Sequence, residues 1–298
     1  GGDSIRYAEA SAGGAGGGGG VHLEWNITPH VNLSATGGYW HFLAGADLET
    51  FLARWLGPWT ADGTAPTGVT RSEHQIPISE IAARPMRAWL YQPSRRPVRG
   101  AYLLSPGLHY AGPADPRMDR FCKVLASAGF TVLAPFLPDF MELRVRRSLT
   151  DDLQRCLQFL IDTPGWTCGR PPAIFSISFG ALPALRLAAL PAYRHQVSRL
   201  FLFGGYADWG RAIQYCLTGM IDGKQHGQRD PLNQPVVFLN LLDELEGVPE
   251  DRDALCRAWR RYVEATWGRP EMKAPFLSKT SSWTGRDIAY SGGSARSS

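Results

Sequence analysis

Between residues 100 and 203 two kinds of segment alternate, and no other feature of the sequence restricts the fold as strongly. AYLLSPG (101–107), TVLAPF (131–136), PPAIFSIS (171–178) and RLFLFGG (199–205) are apolar at consecutive positions. Between them lie DPRMDRFCKVLASAGF (115–130), SLTDDLQRCLQFLIDTPG (148–165) and ALPALRLAAL (181–190), whose apolar residues recur at helical spacing. In the first of these Met118, Phe121, Leu125 and Ala126 fall on one face, and Gly129 closes it. Strands apolar on both faces must be buried on both. Alternating with helices, they predict an α/β fold with a mostly parallel sheet covered by helices on each side.

The flanks are read by the same rules. HQIPI (74–78) and RAWLYQP (87–93) read as two further strands, and PVVFLNLLDE (235–244) as another. Residues 1–20 end in a Gly-rich tract with almost nothing to bury, which predicts a disordered tail. Residues 21–70 read as an N-terminal helical extension, because DLETFLARWLG (47–57) sets Leu48, Phe51, Leu52, Trp55 and Leu56 on one face. The main domain is then expected over 71–280, with lid helices within 209–267, one of them carrying Leu255, Trp259, Tyr262 and Val263 on one side. A polar tail fills 281–298.

Composition removes several classes of function. The net charge is +4, with arginines in scattered pairs and no basic stripe, so no nucleic-acid partner is expected. No apolar run reaches the roughly 18 residues of a membrane span, so no membrane partner is expected either. Cys122, Cys156, Cys168, Cys216 and Cys256 are odd in number and contain no Cys-x-x-Cys pair. That argues against a zinc site or disulfide framework and for reduced thiols in a cytoplasmic protein. No Gly-x-Gly-x-x-Gly follows the first strand of a βαβ unit, so a dinucleotide site is set aside.

In a parallel sheet, chemistry collects at the carboxyl ends of the strands. Ser178 stands at such an end, between AIFSI and the next helix. Its neighbours at minus two and plus two are Ser176 and Gly180, small enough for a tight strand-to-helix corner. Ala181 lets the helix approach the strand, and Pro183 falls in the first helical turn, where a missing N–H is tolerated. Ser-x-Ser-x-Gly is thus a variant of the Gly-x-Ser-x-Gly nucleophile elbow, which lifts a hydroxyl beside the positive end of a helix.

The order LLSPGLHYAGPADPRMDRFCKVLASAGFTVLAPFLPDF (103–140), followed by DDLQRCLQFL and the corner, resembles an α/β-hydrolase domain over about residues 72–210. The resemblance implies an ester- or thioester-cleaving serine hydrolase with Ser178 as nucleophile and a small-molecule acyl substrate. It implies oxyanion N–H groups from Leu108, in SPGLH, and from Phe179, with no metal and no cofactor. His109 stands too near that loop to be the family's base and is expected to line or support the pocket. Phe136, Phe140, Tyr206 and Trp209 are expected near the strand ends as apolar pocket wall.

A serine hydroxyl needs a base, and the base an orienting acid. Asp208, Asp243 and Glu244 are candidate acids. Only His195 and His226 follow Ser178. His195 precedes a strand, which puts it at the opposite sheet edge, and His226 sits in a polar loop. The chain is therefore expected to be C-terminally incomplete as a hydrolase, and enzyme activity stays an open question. The alternative is a catalytically incomplete fragment or a non-catalytic binding protein of the same fold.

Overall fold

The computed structural model describes residues 66–78, 84–205, 208–225, 230, 232–244 and 251–267, together with the backbone of two N-terminal strands. Those two, β1 (His22–Thr28) and β2 (Val31–Thr36), pair antiparallel with Trp25 opposite Leu33 and Leu23 opposite Ala35. This corrects the expectation that 21–70 is helical throughout. HLEWN alternates apolar and polar residues with the period of a strand, not of a helix. The segment 47–57 lies outside the described residues.

The main sheet has six strands: β3 (Val69–Ile76), β4 (Met86–Pro93), β5 (Gly100–Ser105), β6 (Phe130–Pro135), β7 (Ala173–Ile177) and β8 (Arg199–Phe203). Their order is β3-β4-β6-β5-β7-β8. β5 pairs parallel with both β6 and β7, and β7 with β8, while β3 and β4 form an antiparallel edge. Helices connect the parallel strands: α1 (Pro116–Ser127), α2 (Pro138–Met141), α3 (Ser148–Asp162) and α4 (Ala181–Ala189). The α/β class and the mostly parallel sheet are as the alternation predicts.

Local chemistry explains the boundaries. Asp115 caps α1 by accepting the Arg117 N–H at 2.9 Å, with Pro116 in the first turn. Gly129 closes the turn at φ +101°, a conformation open to glycine. The face α1 buries, with Phe121, Val124 and Leu125, packs with Tyr102, Leu104, Val132 and Phe175 from three adjacent strands. Leu103, Leu133 and Ile174 alternate to the other face and are also fully buried. Burial of each such side chain is worth about 2 kcal/mol.

Two buried carboxylates interrupt this apolar interior. Arg84, leading into β4, donates to Asp139 at 2.8 and 3.0 Å and also to Asp152 on α3. Arg155, one turn along α3, donates to the carbonyls of Pro77 and Arg84. These bonds tie the two ends of the β3–β4 connection to α2 and α3.

The chain divides near residue 206 into two units, and residues 142–144 belong to the second. The described part of that second unit contains α5 (Trp209–Thr218), a hairpin of β9 (Met220–Ile221) and β10 (Lys224–Gln225), α6 (Asn233–Leu241) and α7 (Arg252–Thr266). Here PVVFLNLLDE is helical, which corrects the strand expected there. A short apolar run reads alike for a buried strand and a buried helix, and Pro235 fits the first helical turn, where its missing N–H removes no bond. α7 buries Leu255, Trp259 and Val263, and Trp259 meets Phe238 of α6 at 5.3 Å between ring centres. Among the described residues no helix is long and apolar enough to cross a membrane.

Candidate functional site

β5 lies between β6 and β7, so the chain leaves β5 in one direction and returns on its other side. Such a reversal opens a crevice at the carboxyl ends of the strands. The register sets Ser105, the last residue of β5, beside Ser176 of β7. The loop after β5 and the corner after β7 thus become neighbours, although about 70 residues separate them in sequence.

Ser178 is half-buried at that corner with φ +51°. A left-handed conformation costs a non-glycine residue about 1–2 kcal/mol, so the surroundings must impose it. The preceding Ile177 is still extended, and a single 3-10 turn over Ser178–Gly180 leads into α4. Three glycines show how tightly the corner is enclosed. A Cβ on Gly180 would lie 2.4 Å from the carbonyl oxygens of both Ser105 and Pro106. On Gly107 it would lie 3.4 Å from the Ser178 Cβ, and on Gly205 2.6 Å from the Ala181 Cβ. The demand for small residues at 180 and 181 thus has a physical source.

Two hydroxyls lock the arrangement. Ser105 Oγ donates to the Gly180 carbonyl at 2.8 Å, and Ser176 Oγ donates to the Phe201 carbonyl at 3.0 Å. Ser176 is fully buried, so in place of a bare glycine it supplies a satisfied bond between β7 and β8. Both roles are invisible to sequence reading, because their partners lie 75 and 25 residues away.

Leu108, buried, follows Gly107, on which a Cβ would lie 3.4 Å from that of Ser178, and Phe179 follows Ser178 itself. His109 is committed elsewhere: its Nδ1 accepts the Ala111 N–H at 3.0 Å and its Nε2 lies 3.1 Å from Asp115 Oδ2. Burial, which outweighs the attraction of Asp115, pushes its pKa down to about 4. The ring is neutral near pH 7, with Nε2–H donating to Asp115. The sequence leaves a structural and a pocket-lining role open for His109, and these bonds are structural.

His195 is exposed beside Arg194 and precedes Arg199, which pairs with Ala173 at the start of β7. The whole length of β7, about 13 Å at 3.3 Å per residue, separates that end from Ser178. His74 bonds to Ser72 on the edge strand β3 and meets Trp166 edge-on. His226 and Tyr206 lie outside the described residues. In the second unit Asp208 caps α5 by accepting the Arg211 N–H, and Asp243, beside Glu244, accepts from Arg252. Trp209 is half-buried in the first turn of α5.

Phe136 and Phe140 correct the expectation of a pocket wall. They are 3% and 1% exposed. Phe136 lies under the Arg87 guanidinium and against Trp89, as core.

Neither a family model nor a curated protein matches the sequence. Solved structures are similar in part. The α/β hydrolase GrgF from Penicillium sp. sh18 has 19% identity and a TM-score of 0.36, over 45% of each chain. Brefeldin A esterase, a bacterial homologue of human hormone-sensitive lipase, has 16% identity and a TM-score of 0.37, over 52% of this chain and 47% of its own. A dienelactone hydrolase from Anabaena variabilis has 20% identity and a TM-score of 0.38, over 50% and 67%. The chain thus spans less than half the length of the first two. The chain itself has a mostly parallel six-stranded α/β sheet, with the Pro-Gly loop after β5 set close to a serine at a strained strand-to-helix turn, and solved hydrolases are what it is similar to in part.

Proposed function

We propose that the protein is a serine hydrolase that takes the acyl group of a small ester or thioester onto Ser178 and passes it to water. The observation that carries this reading is the φ of +51° at Ser178, in a corner where Gly180 lies close against the Ser105 and Pro106 backbone. Strain of this kind at the carboxyl end of a strand supports a role in presenting the side chain. The Ser178 Oγ attacks the acyl carbon and gives up its proton. The bond from that carbon to the leaving oxygen or sulfur breaks, and the leaving group takes a proton. Water then attacks the acyl carbon, the bond from that carbon to Oγ breaks, and the proton that water gives up returns to Oγ as the acid leaves. Backbone N–H groups of Leu108 and Phe179 would hold the negative oxygen of each tetrahedral intermediate.

The test is labelling of the full chain with a fluorophosphonate, read by peptide mass spectrometry. The adduct is expected on Ser178 and lost in Ser178→Ala. Equal labelling in that variant rejects the nucleophile. Leu108→Pro, checked for folding by circular dichroism, should slow turnover about 10²-fold by removing one donor.

One observation favours a second reading, a non-catalytic acyl-binding protein. The described imidazoles beyond Ser178 and beside it are remote or committed: His195 lies at the far edge and His109 is bonded through both nitrogens. Without a base the hydroxyl keeps its proton and only residual catalysis results. A chain that binds acyl compounds, resists fluorophosphonate and turns over no ester fits this reading. Brisk hydrolysis lost in His226→Ala rejects it.

A further inference from the structure

We propose that His109 is the positioning residue of the oxyanion loop: its imidazole braces residues 106–111 against the start of α1 and so holds the Leu108 N–H beside Ser178. This rests on the acyl-transfer reading above.

At Gly107 the loop runs so near the corner that a Cβ there would lie 3.3 Å from the Ile177 carbonyl oxygen, and the chain then leaves through Gly112, whose φ is +54°. Between them His109 makes these bonds. Its carbonyl accepts the Gly112 N–H at 3.0 Å, Nδ1 accepts the Ala111 N–H at 3.0 Å, and Nε2–H points to Asp115 Oδ2 at 3.1 Å. The ring is 13% exposed and stacks on Tyr110 at 4.6 Å. Asp115 is itself fixed: its carboxylate caps α1 through the Arg117 N–H and takes two bonds from the Arg117 guanidinium, each 2.9 Å. A continuous path therefore runs from the first turn of α1, through Asp115 and the imidazole, to the residue next to the expected donor. A donor that must not move while charge develops needs such a support.

The direction of the two ring bonds defines the brace. Acceptance by Nδ1 from a backbone N–H two residues on is the geometry an asparagine side chain also makes. His109→Asn should therefore keep the inner bond, whereas His109→Phe keeps the ring stacked on Tyr110 and loses both bonds.

The experiment measures saturable fluorophosphonate labelling of Ser178 in the full chain, separating the maximal rate from the half-saturating concentration. Backbone hydrogen exchange is read over 106–112 in parallel. His109→Phe should label about tenfold or more slowly at saturation, with the half-saturating concentration unchanged, and its loop should exchange faster. His109→Asn should recover most of the rate. Wild-type labelling and exchange in His109→Phe overturn the inference and leave the nucleophile standing. Equal loss in both variants, tracking a fall in melting temperature, also overturns it. Absence of labelling in the wild-type chain, with the exchange difference present, overturns the acyl-transfer reading and with it the donor role, while the brace stands. If His109→Phe does not fold, the imidazole nitrogen spectrum of the wild-type chain decides. An Nε2–H ring with an acceptor Nδ1 is expected, and an Nδ1–H ring refutes the brace.

Discussion

Gly180 passes directly beneath Pro106: a methyl group on Gly180 would meet the Pro106 carbonyl oxygen at 2.4 Å. The φ of Gly180 is −61°, so the residue is needed there for space and not for conformation. The obstacle is backbone, the Ser105 and Pro106 carbonyls at the end of β5, which cannot rotate away as a side chain could. Gly180→Ala should lower stability by about 3 kcal/mol, read as a shift in the denaturant midpoint. Ser105→Ala, which removes only the bond to the Gly180 carbonyl, should lose about 1 kcal/mol. If the two variants are equally stable, the close approach does not govern the corner.

Ser178 gives the opposite case, because there the backbone is strained and the side chain is small. Ser178→Gly should be more stable than Ser178→Ala by about 1 kcal/mol, since glycine adopts φ +51° without strain. Both variants lose the hydroxyl, so thermal unfolding separates them while labelling does not. Equal melting temperatures would mean that the strain is absent in solution.

The Arg84 guanidinium lies between two buried carboxylates. Burial drives the Asp152 pKa up despite Arg84. At Asp139 burial also acts upward, but Arg84 and Ser148 prevail and hold the pKa below its ordinary value. Arg84→Gln removes the partner the two carboxylates share, leaving Asp139 with Ser148 and Arg146 and Asp152 with Arg155, and should destabilise by about 3 kcal/mol near neutral pH. Without Arg84 both carboxyls titrate higher, so acid neutralises them. The gap between variant and wild type should therefore narrow as the pH falls below neutral. A gap constant with pH would show that Arg84 acts through packing alone.

His109 sets a second pH dependence. Its folded pKa, pushed down to about 4 by burial, lies below the ordinary value of 6.5. Below 6.5 the unfolded chain takes a proton that the folded chain refuses, so stability present above 6.5 falls as pH drops and levels off near 4. The loss is on the order of 3 kcal/mol. His109→Asn cannot titrate, so its stability profile should be flatter across that window in urea unfolding. Parallel profiles would show that the ring is solvated.

Much of the architecture is legible in the linear chain because its cause is local. Apolar runs on both faces dictate buried strands, helical spacing dictates α1, α3 and α4, and small residues at 180 and 181 announce a corner. The reading fails where two structures share one pattern. Val236 to Leu239 suit a buried strand and a buried helix equally, and only packing within the second unit selects the helix. Phe136 and Phe140 follow strand ends, but whether an aromatic lines a cavity or fills the core depends on what lies above it. The grip on Ser178 has no linear signature either. It arises because β5 lies between β6 and β7, which brings Ser105, Gly107 and Gly180 together from segments about 70 residues apart. The sequence by itself determined the sheet and the serine at its edge, through periodicity and residue size. The strained backbone, the glycine contacts and the commitment of both His109 nitrogens were decided by tertiary structure, because contacts between distant segments exist only once the strands are ordered.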